Sequence, residues 1–338
     1  MALVGAGQMG SAHARIVAES NLADLGIVVD SNAEAATRLA ERYWSRASAD
    51  VDAALQADAV IVAASTAHHL ACALPFIEAG IPTFVEKPLA PSLDQVDALI
   101  AASVHRDVPL MCGFVERFNA AFRTALDVVD ECPTHVMAVR HSPAAPRIQS
   151  SVVSDLLLHD LDVALTLFGS DGELRGASGL VPNGAKFVEL ADALVAFEGG
   201  LANLSANRMG QRKVRSLIIH LPRELVEVDL LRQNVTVYRN VSQEMLRTNG
   251  GVGYRSSTEI DLPFVRHTAE PLSLQFARFI NVVAGRVDHD QERARIRGPH
   301  VLAEHIEQTI MGNVVRPAPD TADTDEQADA HAEEQASA

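Results

Sequence analysis

The chain has 338 residues, 48% of them hydrophobic, with 28 basic against 44 acidic side chains and a formal charge of −16. That length and composition suffice for two domains with full cores, and the acidic balance repels phosphate backbones, which argues against a nucleic-acid partner. No uninterrupted apolar stretch reaches about 18 residues and no basic segment precedes an apolar one at the start, so neither a membrane span nor a secretory signal is expected.

The three cysteines, Cys72, Cys112 and Cys132, are widely spaced and form no C-x-x-C pair. They are expected as reduced, buried thiols of a cytoplasmic protein without a membrane partner.

In chain order, residues 2–4 read as a strand and 9–20 as a helix. A buried first strand takes about five or six residues, so the chain is expected to start a few codons further upstream or its strand to be clipped. "DLGIVVD" (24–30) is a β-branched run ending in an acid, and "NAEAATRLAERY" (32–43) is Ala- and Glu-rich and helical. The strands 58–65, 82–88 and 109–118 then alternate with helices 69–80 and 92–106. Apolar strands alternating with amphipathic helices predict a doubly wound parallel sheet.

After Asn119 the rhythm changes. "HVMAVRH" (135–141) predicts a strand and 154–169 a helix ending at Gly169. Strand-like runs follow between 186 and 240, with helices over 271–285 and 298–312. This is an α+β domain on an open, mainly antiparallel sheet. The expected divisions are 1–119, 120–315 and an acidic tail, 316–338, with seven acids, one Arg and no apolar periodicity, of disordered composition.

"GAGQMG" (5–10) has G-x-G-x-x-G spacing between a strand and a helix. Gly5 permits the tight turn, Gly7 lets a pyrophosphate approach the backbone, and Gly10 lets helix and strand pack closely. Gln8 and Met9 sit at the helix N-terminus, whose N–H groups favour phosphate. Asp30 ends the next strand and can accept hydrogen bonds from ribose hydroxyls, with Ser31 beside it. Its charge opposes a 2′-phosphate, so NAD is favoured over NADP.

"EKP" places Glu86 and Lys87 at the carboxyl end of a strand, where open parallel sheets bind ligands. An ammonium there can stabilise charge developing on a substrate oxygen; the alternative is an exposed strand end. Asp155, His159 and Asp162 lie at i, i+4 and i+7, one face of a helix. Histidine is suited to taking a hydroxyl proton near neutral pH, and a buried structural His–Asp pair is the other reading. His68 and His69 are adjacent, point apart on a helix and have no third ligand at recognisable spacing, so no metal is expected.

"GAGQMG", "VEKPLA", "GFVERFNAAF" and "DLLLHDLD", in this order, resemble the Gfo/Idh/MocA family of oxidoreductases over residues 1 to about 312. The resemblance implies an N-terminal Rossmann domain, Lys87 as catalytic lysine and Glu86 as a cofactor-side residue. Ser65, Thr66 and His69 fall in the loop that contacts the nicotinamide ribose, and Asp155 and His159 match the catalytic pair. It also implies a homodimer or homotetramer through the outer face of the C-terminal sheet. Where the family often has glycine two residues after the Asp, this chain has Leu157, which could narrow the pocket or shift the helix.

"ERFNAAF" and "PRIQSSVVSDLLLHDLD" resemble the subgroup of UDP-N-acetylglucosamine 3-dehydrogenases. This implies a nucleotide-sugar substrate, with Asn119 near it and Arg117 and Arg147 as cations for the diphosphate; salt bridges are the alternative role for both arginines. Rival readings within the fold are a free-sugar or polyol dehydrogenase or reductase, an NAD-dependent glycosidase, and a non-catalytic dinucleotide sensor.

Overall fold

A computed structural model describes residues 1–144, 150–182, 185–248 and 251–313. Arg147 and the acidic tail lie outside the described residues.

The N-terminal half is a six-stranded parallel sheet: β1 (Ala2–Val4), β2 (Ile27–Val29), β3 (Arg46–Ser48), β4 (Val60–Val62), β5 (Thr83–Val85) and β6 (Leu110–Cys112), in the order β3-β2-β1-β4-β5-β6. The order reverses at β1, so β1 and β4 diverge into the crevice where such sheets bind ligands. The helices are α1 (Gln8–Glu19), α2 (Ala33–Arg42), α3 (His69–Glu78) and α4 (Leu93–Arg106). Val4, Val62 and Val85 are buried on one face and Leu3, Ile61 and Phe84 on the other, as continuous apolar strands require. The edge strand β3 was not foreseen: "RAS" is short and half-exposed, with no apolar run to announce it.

The C-terminal half has α5 (Ala120–Val128), β7 (His135–His141), α6 (Leu158–Phe168), β8 (Glu173–Leu180), β9 (Leu190–Phe197), β10 (Gly200–Asn207), β11 (Val214–His220), β12 (Glu224–Asp229), β13 (Asn234–Thr248) and β14 (Gly251–Asp261). The sheet order is β14-β13-β12-β11-β7-β10-β9-β8. All neighbours are antiparallel except β7 and β10. The α6 helix covers the inner face, with Leu158, Leu161 and Ala164 buried in one core with Val136, Ala138, Leu204 and Leu217.

Two helices cross the expected division at 120. Helix α7 (Pro271–Val283) returns to the first domain, where Phe276 and Phe279 share a core with Leu3, Ala14 and Phe84. Burying one such ring contributes roughly 1.5–3 kcal/mol. Helix α8 (His289–Gly312) packs on α4, β6, α6 and β8, stitching both halves together. Buried apolar contact, not chain order, assigns these helices.

The cysteines differ from expectation in one respect. Cys112 is buried and Cys72 half-buried, but Cys132 is exposed on the loop before β7.

Candidate active site

The glycine turn performs three separate tasks. Gly5 has φ +104, and a Cβ there would stand 2.5 Å from the Ala63 carbonyl oxygen on the strand end of β4. A Cβ on Gly10 would run into the Gly5 carbonyl oxygen. Gly7 is different: a side chain there would meet nothing within 4 Å. Its missing side chain opens a cradle above the first turn of α1, whose leading N–H groups have no intrahelical partner and whose residues include no acid. Gln8 and Met9 are exposed at the rim.

Asp30 closes the other side. Its Oδ2 accepts from Ala6 N at 2.7 Å and Oδ1 from Asn32 N at 2.8 Å. A carboxylate has about four acceptor sites, so capacity remains for hydroxyls while the side chain is pinned; Ser31 is exposed beside it. The open glycine cradle and fixed carboxylate fit a dinucleotide with free ribose hydroxyls.

Glu86 is buried and does not face open space. Its Oε1 lies 2.7 Å from His13 Nε2 on α1, and its Oε2 accepts from Lys87 N at 3.1 Å. It anchors the lysine turn to the glycine helix. His13 was missed; its signal was a polar residue in register with buried Ala14 and Val17. His69 is buried as a clamp, Nδ1 facing the Pro88 carbonyl oxygen at 2.9 Å and Nε2 that of Ala64 at 3.0 Å. Ser65 lies exposed, 2.8 Å from His68 Nδ1, and Thr66 is half-buried.

Lys87 Nζ reaches across the domains to the Asp155 backbone oxygen at 2.7 Å and Oδ1 at 3.0 Å. Asp155 sits in a π-helical turn, Val153–Leu157, that precedes α6. Such turns recur at functional sites. Its Oδ2 accepts from Arg208 at 3.3 Å, and Arg208 is bidentate on Glu189 at 2.8 and 2.9 Å. Leu157 is fully buried in the core and does not line the pocket.

His159 is buried and its ring makes no hydrogen bond among the described residues, with Nδ1 enclosed and unpartnered. Burial, then the charges of Lys87, Arg140 and Arg215, hold its pKa well below the ordinary imidazole value. A neutral ring can accept a proton.

Asp162 does not share that face. It is buried against Arg117, which contacts it with Nε at 2.9 Å and a terminal nitrogen at 2.5 Å. The π turn carries fewer degrees per residue than an α-helix, so seven positions no longer return to the same side. Arg117, expected at a diphosphate, is committed to this buried pair. Asn119, expected near substrate, is buried as the cap of α5, accepting from Ala121 N at 3.0 Å and donating to the Leu230 carbonyl at 3.0 Å.

Residues 1–114 match the family described as oxidoreductase family, NAD-binding Rossmann fold. UDP-N-acetylglucosamine 3-dehydrogenase of Acidithiobacillus ferrooxidans is 31% identical over 70% of this chain and 75% of its own length. The chain belongs to the Gfo/Idh/MocA family of oxidoreductases. The solved structure of that dehydrogenase, GnnA, superimposes with a TM-score of 0.80, covering 92% of this chain and 97% of its own. Inositol 2-dehydrogenase of Leifsonia xyli is 32% identical over 49% of this chain and 52% of its own length. The cofactor of this NAD-binding family is NAD, in accord with the unphosphorylated ribose that Asp30 favours. Among the described residues, no helix is long and apolar enough to cross a membrane.

Proposed function

We propose that the protein oxidises a secondary hydroxyl of a nucleotide sugar, or reduces the corresponding ketone, with Lys87 and His159 at the reacting oxygen. The observation that carries this reading is the ion pair of Lys87 with Asp155 across the domains, beside an unpartnered neutral His159. Gly5, Gly7, Gly10 and Asp30 hold NAD, which supplies the hydride acceptor. The Lys87 ammonium hydrogen-bonds the substrate oxygen and stabilises the negative charge that develops there. His159 takes the hydroxyl proton. Asp155, held by Arg208, orients Lys87 and the sugar.

The similarity to a UDP-N-acetylglucosamine 3-dehydrogenase over three quarters of that protein supports a nucleotide sugar. The shorter match to an inositol dehydrogenase supports a free polyol as the second reading. NADH formation with NAD and UDP-N-acetylglucosamine, UDP-glucose, glucose and myo-inositol separates them. Activity on the UDP sugars is expected; activity on free polyols alone would reject the nucleotide sugar.

The outer face of the eight-stranded sheet supports a homodimer or homotetramer. It exposes Met137 and Leu201 and carries a shallow cleft of about 520 Å³ lined by Met137, Val139, Leu194 and Ala177. Exposed apolar faces of this kind mark association surfaces.

A further inference from the structure

The cations around the site differ in how completely they are paired. Arg117 is bidentate on Asp162, and Arg140 is bidentate on Asp160 and also donates to Glu116 at 2.8 Å. Arg208 holds Glu189, Asp155 and the Ser150 carbonyl, and Lys87 holds Asp155. Each is close to saturated.

Arg215 is not. It stands opposite Arg140 in the β11–β7 register, on the same side of β11 as buried Leu217 and Ile219. Among the described residues its one side-chain hydrogen bond goes to Glu116 Oε1 at 3.3 Å, an oxygen that Arg140 already occupies at 2.8 Å. Its side chain is 37% exposed. Burial, then the Arg140 charge, push the guanidinium below its ordinary pKa. A guanidinium does not shed its proton in proteins, so it stays charged, poorly bonded and beside a second cation. That is an environment which an anionic ligand relieves.

Its position fits the reacting centre. The charge of Arg215 acts on His159, and that of Asp155 acts on Arg215. A separate cavity of about 520 Å³, lined by Thr66, Pro88 and Ser154, carries Glu304 and Glu307 and does not include Arg215. Carboxylates there repel an anion.

We propose that Arg215 is the contact for the phosphate on the anomeric carbon of the substrate sugar. This rests on the nucleotide-sugar reading above and gives that reading the cation which Arg117, locked on Asp162, does not provide. In such a substrate the ring hydroxyl and the anomeric phosphate belong to one sugar, and the proposal assigns the hydroxyl to His159 and the phosphate to Arg215.

Calorimetric binding of UDP-N-acetylglucosamine to the NAD-loaded enzyme tests this in wild type, Arg215→Met, Arg215→Gln and Arg215→Lys. Both neutral variants are expected to weaken binding about 10- to 100-fold, the usual loss for a charge-assisted bond, and Arg215→Lys to recover part of it. The preference for the nucleotide sugar over free N-acetylglucosamine shrinks by the same factor. Unchanged affinity in a folded neutral variant, no preference in wild type, or an Arg215-dependent preference for glucuronate over the phosphorylated sugar would each overturn the proposal. Arg215-dependent binding with no nicotinamide turnover in either direction, neither NADH formed from the sugar nor NADH consumed by its ketone, would reject the dehydrogenase reading and keep the phosphate contact. NADH formation with Arg215-independent affinity would do the reverse.

Discussion

Lys87 Nζ sits 2.7 Å from the backbone oxygen and 3.0 Å from Oδ1 of Asp155, a residue 68 positions away on the other domain. The lysine turn belongs to the sheet that holds the glycine cradle, and Asp155 belongs to the π turn ahead of α6. The contact therefore joins the sheet that carries the glycine turn to the helix that carries His159. Arg208 supports it from behind, since it holds Asp155 Oδ2 while bidentate on Glu189.

Replacing Lys87 by Ala removes the cation proposed at the reacting oxygen. Turnover is expected to fall on the order of 10²–10⁴-fold, the range for losing a positioned proton-transfer or oxyanion group. NAD affinity should hold, because the glycine turn and Asp30 are untouched. Steady-state kinetics with a fluorescence titration of NADH separate the two effects, and full turnover in Lys87→Ala would reject its role.

Two glycines of one motif should fail differently. Gly10→Ala drives a Cβ into the Gly5 carbonyl and should yield little folded protein. Gly7→Ala places its methyl in open space, so the variant should fold with near-normal melting while NAD binding weakens about tenfold or more. Normal NAD affinity in Gly7→Ala would show that the cradle does not hold the pyrophosphate.

His300 should make stability depend on pH. Its Nδ1 faces the Ile296 carbonyl at 2.7 Å and so carries the proton, leaving Nε2 to accept from Leu89 N at 2.9 Å. Burial lowers its pKa to about 4 from the ordinary 6.5. The unfolded chain takes up the proton first as pH falls. The contribution is therefore complete above pH 6.5 and is lost on descent to about 4, on the order of 3 kcal/mol. His159, also depressed, acts in the same direction. Denaturant melts at pH 7.5 and 4.5 should show the fall, and His300→Gln should flatten it. An equally steep profile in that variant would exclude His300 as its source.

Much of the first domain was legible because its signals are local. The glycine spacing, the apolar runs of β1, β4 and β5 and the acid at 30 are set by backbone geometry within a few residues. The three arginines of the inner sheet face left a fainter trace. Arg140 continues the parity of buried Val136 and Ala138, Arg208 that of Leu204 and Ala206, and Arg215 that of Leu217 and Ile219. A charge in a buried register signals an ion pair or a ligand, and that signal was passed over. The seven-residue spacing of Asp155 and Asp162 misled because a π turn is invisible to an α-helical period.

The sequence by itself determined the doubly wound sheet, the glycine turn and the lysine at its carboxyl edge. Each follows from short-range sterics and periodicity. Only the tertiary structure decided which cations are spent and which remain available. A guanidinium has the same chemistry wherever it stands, and its role depends on the carboxylates that folding brings within hydrogen-bond distance. Arg117 met Asp162 and Arg140 met Asp160, 45 and 20 positions away. Arg215 met an oxygen already taken.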